Sequence, residues 1–149
     1  MDDYSEIQNS KIIAVVGHSE YWTKTARLNF DKFVDNGKDA IVLSGNTMWW
    51  QVRYSGDKNK LICYKDALLD TISDPLLKSI NWPDTSLHYP LLNSVGVDYT
   101  HGSAAAVSDS WYGYKITLPN SPILAGTSLN SGNILSCRSR ESDATLFSG

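Results

Sequence analysis

Two residues with acid–base side chains, His18 and Glu20, lie two positions apart in the stretch Gly17-His18-Ser19-Glu20-Tyr21-Trp22. An imidazole and a carboxylate can both transfer protons, so this stretch is a candidate for general acid–base catalysis. Each residue also has a structural alternative. A single histidine more often makes a structural contact, and Glu20 can stabilise the start of a following helix, where the helix dipole favours a carboxylate.

A second candidate stretch is Leu-Ser-Gly-Asn-Thr-Met-Trp-Trp-Gln-Val-Arg, residues 43–53. Asn46 offers an amide that could orient a ligand, and Trp49 and Trp50 could form the wall of a pocket. The alternative is that both tryptophans belong to the core, since aromatic side chains dominate core burial.

The elements that must position these residues form a predicted β-α-β unit over residues 11–43. An unbroken apolar run at residues 11–17 is typical of a strand in a parallel sheet. Thr23 is the expected N-cap of the helix, and Gly37 is the expected stop. Because ligands bind beyond the carboxyl ends of parallel strands, we expect both candidate loops at one edge of the sheet. The predicted apolar face of the helix consists of Ala26, Phe30, Phe33 and Val34.

The rest of the chain is less regular. Two alternating runs predict a β-hairpin over residues 50–65, which would bring Tyr64 close to the two tryptophans. Residues 76–110 have a weak pattern and are predicted to be a loop-rich segment. We predict one α/β domain over residues 1–149, and the small number of clear crossover strands indicates an incomplete domain from a larger polypeptide.

Composition excludes several functions for the 149-residue chain. Its formal net charge is -3 without a basic block, so we expect no nucleic-acid binding. No apolar run is long enough to span a bilayer and no signal-peptide pattern is present, so we expect no membrane association and a cytoplasmic location. Cys63 and Cys137 form no spacing motif, and the three histidines are too dispersed for a metal motif. Nucleotide-binding glycine loops and hydrolase motifs are also missing from the sequence.

The His-Ser-Glu-Tyr-Trp string at residues 18–22, followed by Gly-Asn-Thr-Met-Trp-Trp at residues 45–50, resembles the N,N-dimethylformamidase large (beta) subunit family. The resemblance is to its carboxyl-terminal domain and is strongest over residues 11–65. It implies a flavodoxin-like, class I glutamine-amidotransferase-like three-layer fold. It also implies hydrolysis of the C–N bond of a small amide at a mononuclear iron. Ser19 departs from relatives that carry an acid at this position.

The resemblance implies a role for each candidate residue. Two tyrosinates and one carboxylate would bind the iron through hard oxygen atoms, which suit a ferric Lewis acid. From the residues alone, the same tyrosines would be core or rim aromatics and the glutamate a solvated charge. The implied metal ligands are Tyr21, Tyr64 and Glu141. The implied catalytic residues are His18 and Glu20, and the implied substrate-binding residues are Asn46, Trp49 and Trp50.

Two alternatives to an amide hydrolase remain open at this point. A non-catalytic domain of the same fold could bind a carbohydrate or another ligand through Trp49, Trp50, Trp82 and Trp111, because aromatic rings stack on sugar faces. An inactive fragment is the other alternative. The expected partners are a small-molecule amide or other small ligand, together with upstream parts of a larger polypeptide or another subunit.

Overall fold

The computed structural model describes residues 1–104, 114–135 and 141–145, and these have a mixed α/β structure. The chain forms two compact units. One comprises residues 1–103 and 142–149, and the other comprises residues 104–141. The elements in chain order are β1 (Ile12–His18), β2 (Tyr21–Thr23), α1 (Lys24–Asp35), β3 (Asp39–Gly45), β4 (Trp50–Tyr54), β5 (Leu61–Ile62), α2 (Leu92–Val95), β6 (Asp98–Ala104), β7 (Tyr114–Lys115), β8 (Ile134–Leu135) and β9 (Glu141–Ala144).

The helix α1 connects the parallel strands β1 and β3 and packs on one face of them. The predicted N-cap is confirmed, because the Thr23 hydroxyl accepts a hydrogen bond of 3.0 Å from the amide of Ala26. Three of the four predicted apolar residues of the helix are buried, whereas Val34 is exposed. After the helix, Gly37 adopts a positive φ of 76°, which glycine allows without a steric penalty.

Strand β1 pairs with β3, and strand β2 pairs with β4, so the chain forms two successive parallel ladders. Partners in the first ladder are 27 residues apart, as for Ile12 and Asp39, and partners in the second are 29 residues apart, as for Tyr21 and Trp50. The chain between β3 and β4 therefore holds two additional residues. It accommodates them in a turn with positive φ angles at Asn46 (52°) and Met48 (51°). This turn, residues 45–49, is called the bulge turn below.

The core lies between α1, the inner face of β1 and the segment that follows the hairpin. Its buried apolar residues include Ile13, Val15, Trp22, Phe30, Phe33, Met48, Trp82 and Leu91. Arg27 is fully buried among them, where it donates hydrogen bonds of 2.8 Å to the carbonyls of Tyr89 and Pro90. Its guanidinium also lies 4.5 Å from the centroid of the Trp82 ring. Burial lowers the pKa of Arg27 to about 10, and Asp31 opposes that effect.

The hairpin strands β4 and β5 are antiparallel, and β4 is also bridged to Asn81 in the following segment. The segment predicted to be loop-rich contains α2, β6 and short 3-10 turns. Strand β6 forms a two-stranded sheet with β9. In the second unit, β7 pairs with β8 in an antiparallel arrangement.

The described sheets have at most three strands each. They agree with the predicted α/β class but do not form the continuous sheet of a flavodoxin-like domain. Trp111 and Cys137 lie outside the described residues. None of the described helices is long and apolar enough to cross a membrane.

Candidate functional site

The corner between β1 and β2 lies directly against the bulge turn. The amide of Met48 donates to the carbonyl of Ser19 at 2.7 Å, and the amide of Trp50 donates to the carbonyl of Glu20 at 2.8 Å. The amide of Ser19 donates to the Ser44 hydroxyl at 3.1 Å. These bonds join the two candidate loops at the carboxyl ends of β1 and β3.

Glu20 is a buried carboxylate, 7% exposed, that faces two cationic or protonatable groups. Its Oε1 lies 3.3 Å from Nζ of Lys65, and its Oε2 lies 3.6 Å from Nδ1 of His18. Glu20 therefore does not cap α1, a role that Thr23 fills. The geometry instead joins His18 and Lys65 through one carboxylate, with the His18 side chain half exposed to solvent.

Lys65 completes this cluster and was not predicted from the sequence as a site residue. Its Nζ lies 4.9 Å from the centroid of the Tyr21 ring and 5.7 Å from that of the Trp50 ring. Hydrogen bonds that the ammonium donates to Tyr21, and then to Glu20, raise the pKa of Lys65. Lys65 is thus held as a cation at the centre of the site. The residues His18, Glu20, Tyr21, Trp50 and Lys65 are called the corner cluster below.

The two candidate tyrosines are both partly exposed, Tyr21 by 42% and Tyr64 by 43%. Neither is therefore a core aromatic. Tyr64 precedes Lys65, and its amide donates a hydrogen bond of 2.8 Å to the hydroxyl of Ser79. The amide of Ser79 in turn donates to Asp70 at 2.8 Å. This chain of bonds fixes the backbone that carries Tyr64 and Lys65.

The tryptophan pair lies at the margin of the site and not in the core. Trp49 and Trp50 are each partly buried, and their rings meet edge to face with centroids 6.3 Å apart. Trp49 also contacts Tyr99, with 5.5 Å between the ring centroids. Neither tryptophan is therefore part of the hydrophobic core. Trp50 belongs to the corner cluster, where it lies beside Lys65.

The bulge turn makes a second polar contact, with β9. The carboxylate of Asp143 accepts hydrogen bonds from the amides of Asn46 and Thr47, at 2.7 Å and 2.9 Å. No local pattern connects Asp143 with this turn, because 97 residues separate it from Asn46. The side chain of Glu141, the predicted carboxylate ligand, lies outside the described side chains.

An open cavity of about 410 Å³ lies beside the corner cluster. Tyr21 forms part of its wall, and the remaining wall combines apolar side chains of β1, β2 and the hairpin with polar ones and with the first two residues of the chain. The other corner-cluster residues and the predicted substrate-binding residues Asn46 and Trp49 do not line it. Within the described residues, no group of three or more histidine, cysteine, aspartate and glutamate side chains could hold a metal ion. The residues with side-chain oxygen atoms that line the cavity are Asp2, Ser19, Tyr21, Thr23 and Tyr54.

Comparison with known proteins gives the family. A family model described as N,N-dimethylformamidase beta subunit-like, C-terminal, matches residues 1–145. The comparisons with curated proteins and with solved structures gave no match. Because this family model matches nearly the whole chain, the predicted resemblance is confirmed. The chain belongs to the N,N-dimethylformamidase beta subunit-like, C-terminal family.

Proposed function

We propose that this chain is the site-bearing domain of an iron-dependent hydrolase that cleaves the C–N bond of small amides. The observation that carries the proposal is the buried Glu20 carboxylate between His18 and Lys65. A buried carboxylate beside an imidazole can hold that imidazole in position for proton transfer. We further propose that the described α/β elements belong to a flavodoxin-like, glutamine-amidotransferase-like three-layer domain.

In this proposal His18 transfers protons during hydrolysis. An imidazole can take a proton from an attacking water and return one to the departing amine near neutral pH. Glu20 orients His18 through their 3.6 Å contact and also holds Lys65 in place. Asn46 orients the amide substrate, and Trp49 and Trp50 exclude water from one side of it.

The corner cluster contains oxygen donors that suit iron, and iron would have to displace the Lys65 ammonium, which donates to the same Tyr21 and Glu20 oxygens. Phenol and carboxylate oxygens, as in Tyr21 and Glu20, are suitable ligands for a ferric ion. The ligand set that the family resemblance implies is Tyr21, Tyr64 and Glu141. Tyr64 directly precedes Lys65, whose ammonium lies beside the Tyr21 ring, and this closeness along the chain supports the set. When bound, iron would polarise the amide carbonyl.

The adjacent cavity supports a small substrate. Its volume of about 410 Å³ is at the lower end of the range that small-molecule sites occupy, about 300–1,000 Å³. The apolar part of the wall suits the alkyl groups of an N-substituted amide, and Tyr21 is the residue that the cavity shares with the corner cluster. In this proposal the alkyl groups occupy the cavity, and the amide group extends past Tyr21 toward His18. Neither a large nor a highly charged substrate is favoured by this lining.

The proposal is tested by iron content, colour and turnover. We expect the full chain, purified after growth with iron, to contain iron and to show the visible absorption of a tyrosinate–iron complex. Tyr21→Phe and Tyr64→Phe should lose that absorption. His18→Ala should keep the iron but release no amine from N,N-dimethylformamide, because the proton carrier is lost.

Tyr4→Phe is the matched control, since the Tyr4 hydroxyl bonds to Asn36 away from the corner cluster. It should retain the colour of the unmodified protein. A folded chain that is colourless and free of iron after reconstitution would contradict the metal assignment. Turnover that survives His18→Ala would contradict the role of the imidazole.

The carbohydrate-binding alternative is less well supported. Trp82 is only 1% exposed and lies against Arg27, so its ring has no face for a sugar. Trp49 and Trp50 meet edge to face and do not form one flat platform. Glycan binding that is lost in Trp50→Ala and retained in Tyr21→Phe would favour this alternative over the hydrolase.

The outer face of the β1–β3 pair supports a protein partner. Its apolar side chains Ile12, Val16, Ile41 and Leu43 are exposed, whereas parallel sheets are normally covered on both faces. We therefore propose that upstream parts of a larger polypeptide, or another subunit, cover this face. Protection of these strands from amide hydrogen exchange on adding such a partner would test the assignment.

A further inference from the structure

The bulge turn presents two successive backbone N–H groups to one carboxylate. Asn46 donates to Oδ1 of Asp143 at 2.7 Å and Thr47 donates to Oδ2 at 2.9 Å, so each oxygen receives one hydrogen bond. Consecutive N–H groups next to a residue in the left-handed region form a concavity, or nest, that binds anions. Asn46, with φ of 52°, has this conformation.

The nest and its occupant come from different parts of the chain. The nest belongs to the connection between β3 and β4, whose backbone is also held by hydrogen bonds from Met48 and Trp50 to the β1–β2 corner. Asp143 belongs to β9. Because those bonds do not involve Asp143, the turn can keep its shape when this carboxylate is removed.

A second observation concerns the side chain of Asn46, which carries an unpaired hydrogen-bond acceptor. The Asn46 side chain belongs to a residue that is 5% exposed, and its Oδ1 is buried with no hydrogen-bond partner among the described residues. Buried carbonyl oxygens are almost always paired. This oxygen is an acceptor without a donor, on the same residue that supplies one N–H of the nest.

We propose that the amides of Asn46 and Thr47 form a binding site for a small carboxylate, and that Asp143 is its internal occupant. Asn46 Oδ1 serves as the acceptor for a hydroxyl next to the bound carboxylate. The ligand class is therefore a short 2-hydroxycarboxylate, with glycolate as the simplest probe. This inference does not depend on the proposed hydrolase activity, since it concerns binding alone.

The test measures binding of glycolate and acetate to the full chain by NMR and by thermal unfolding. In Asp143→Ala, both anions should shift the amide resonances of Asn46 and Thr47 and raise the unfolding midpoint in a saturable manner. Glycolate should bind more tightly than acetate, and an additional Asn46→Gly change, which removes Oδ1 and still allows the positive φ, should abolish that preference. The wild-type chain should bind either anion at least about tenfold more weakly, because the tethered Asp143 competes at millimolar effective concentration.

Asp143→Asn provides a variant that keeps the shape of the occupant. Its amide oxygen can accept from only one of the two N–H groups, while its NH₂ opposes the other. Its response to both anions should therefore lie between those of the wild type and Asp143→Ala. Acetamide and sodium chloride at matched concentration are the controls for neutral and purely ionic effects. Equal responses to acetate and chloride, or unchanged Asn46 and Thr47 resonances in the alanine variant, would overturn the proposal.

Discussion

Replacing Asp70 by asparagine should destabilise the protein and loosen the backbone of the corner cluster. The Asp70 side chain is fully buried and accepts two hydrogen bonds from the guanidinium of Arg53, which is 19% exposed. It also accepts from the amides of Ser79 and Ile72. In the asparagine variant an amide NH₂ would face a guanidinium, so a donor would meet a donor. Breaking a buried ion pair costs about 3–5 kcal/mol, and the partial exposure of Arg53 places the expected loss near about 3 kcal/mol.

The same change should alter the pH dependence of stability. The hydrogen bonds from Arg53, opposed by burial, hold the pKa of Asp70 well below its usual range. The stabilisation is therefore complete above the unfolded-state pKa of about 3.9 and is lost as the pH falls toward the folded-state pKa. Below a pH of about 3.9, the difference in free energy of unfolding between the wild type and Asp70→Asn should shrink by about 1.4 kcal/mol per pH unit.

Urea unfolding at pH 7 and pH 3, followed by tryptophan fluorescence, measures both effects. Asp57→Asn is the matched control, because the Asp57 carboxylate is exposed and its hydrogen bonds stay within its own turn. This control should leave the unfolding midpoint at pH 7 unchanged. A difference between wild type and Asp70→Asn that is equally large at both pH values would refute the reasoning, because the ion pair would then not be its source.

Three further substitutions test the packing that positions the site. Thr23→Ala should lower the free energy of unfolding by about 1 kcal/mol, as expected for loss of an N-cap, and urea unfolding would measure it. Phe33→Ala should cost about 3–5 kcal/mol in the same assay, because the side chain is fully buried and its removal leaves a cavity. Arg27→Met should cost about 3 kcal/mol, since two buried carbonyls lose their donors, and an unchanged midpoint would show that these carbonyls find other donors.

The α/β class could be predicted because local sequence patterns carry it. The apolar run before Gly17 and the spacing of Ala26, Phe30 and Phe33 reflect side chains that pack on one layer of structure. The Thr23 cap is equally local, since the hydroxyl bonds to an amide three residues away. The family signature also lies within two short strings, so it was recognisable without long-range information.

The members of the site that come from distant segments could not be predicted. Lys65 reaches Glu20 only because the chain after β5 adopts a left-handed conformation at Lys65 itself, with φ of 58°, and is held by Ser79. A lysine is usually an exposed charge, and no pattern around it indicated a buried partner. Asp143 meets the bulge turn through β9, whose pairing depends on the whole intervening chain.

The difference in spacing between the two parallel ladders limits which insertions and deletions the protein can accept. Because side chains alternate along a strand, shifting β4 by one residue against β2 would exchange the faces on which Gln51 and Val52 are buried, whereas a shift of two residues would preserve the faces. Deleting one residue between Gly45 and Trp50 must therefore either straighten the turn, which removes a left-handed residue, or invert β4. Variants of this connection that keep the fold are consequently expected to differ in length by two residues and not by one.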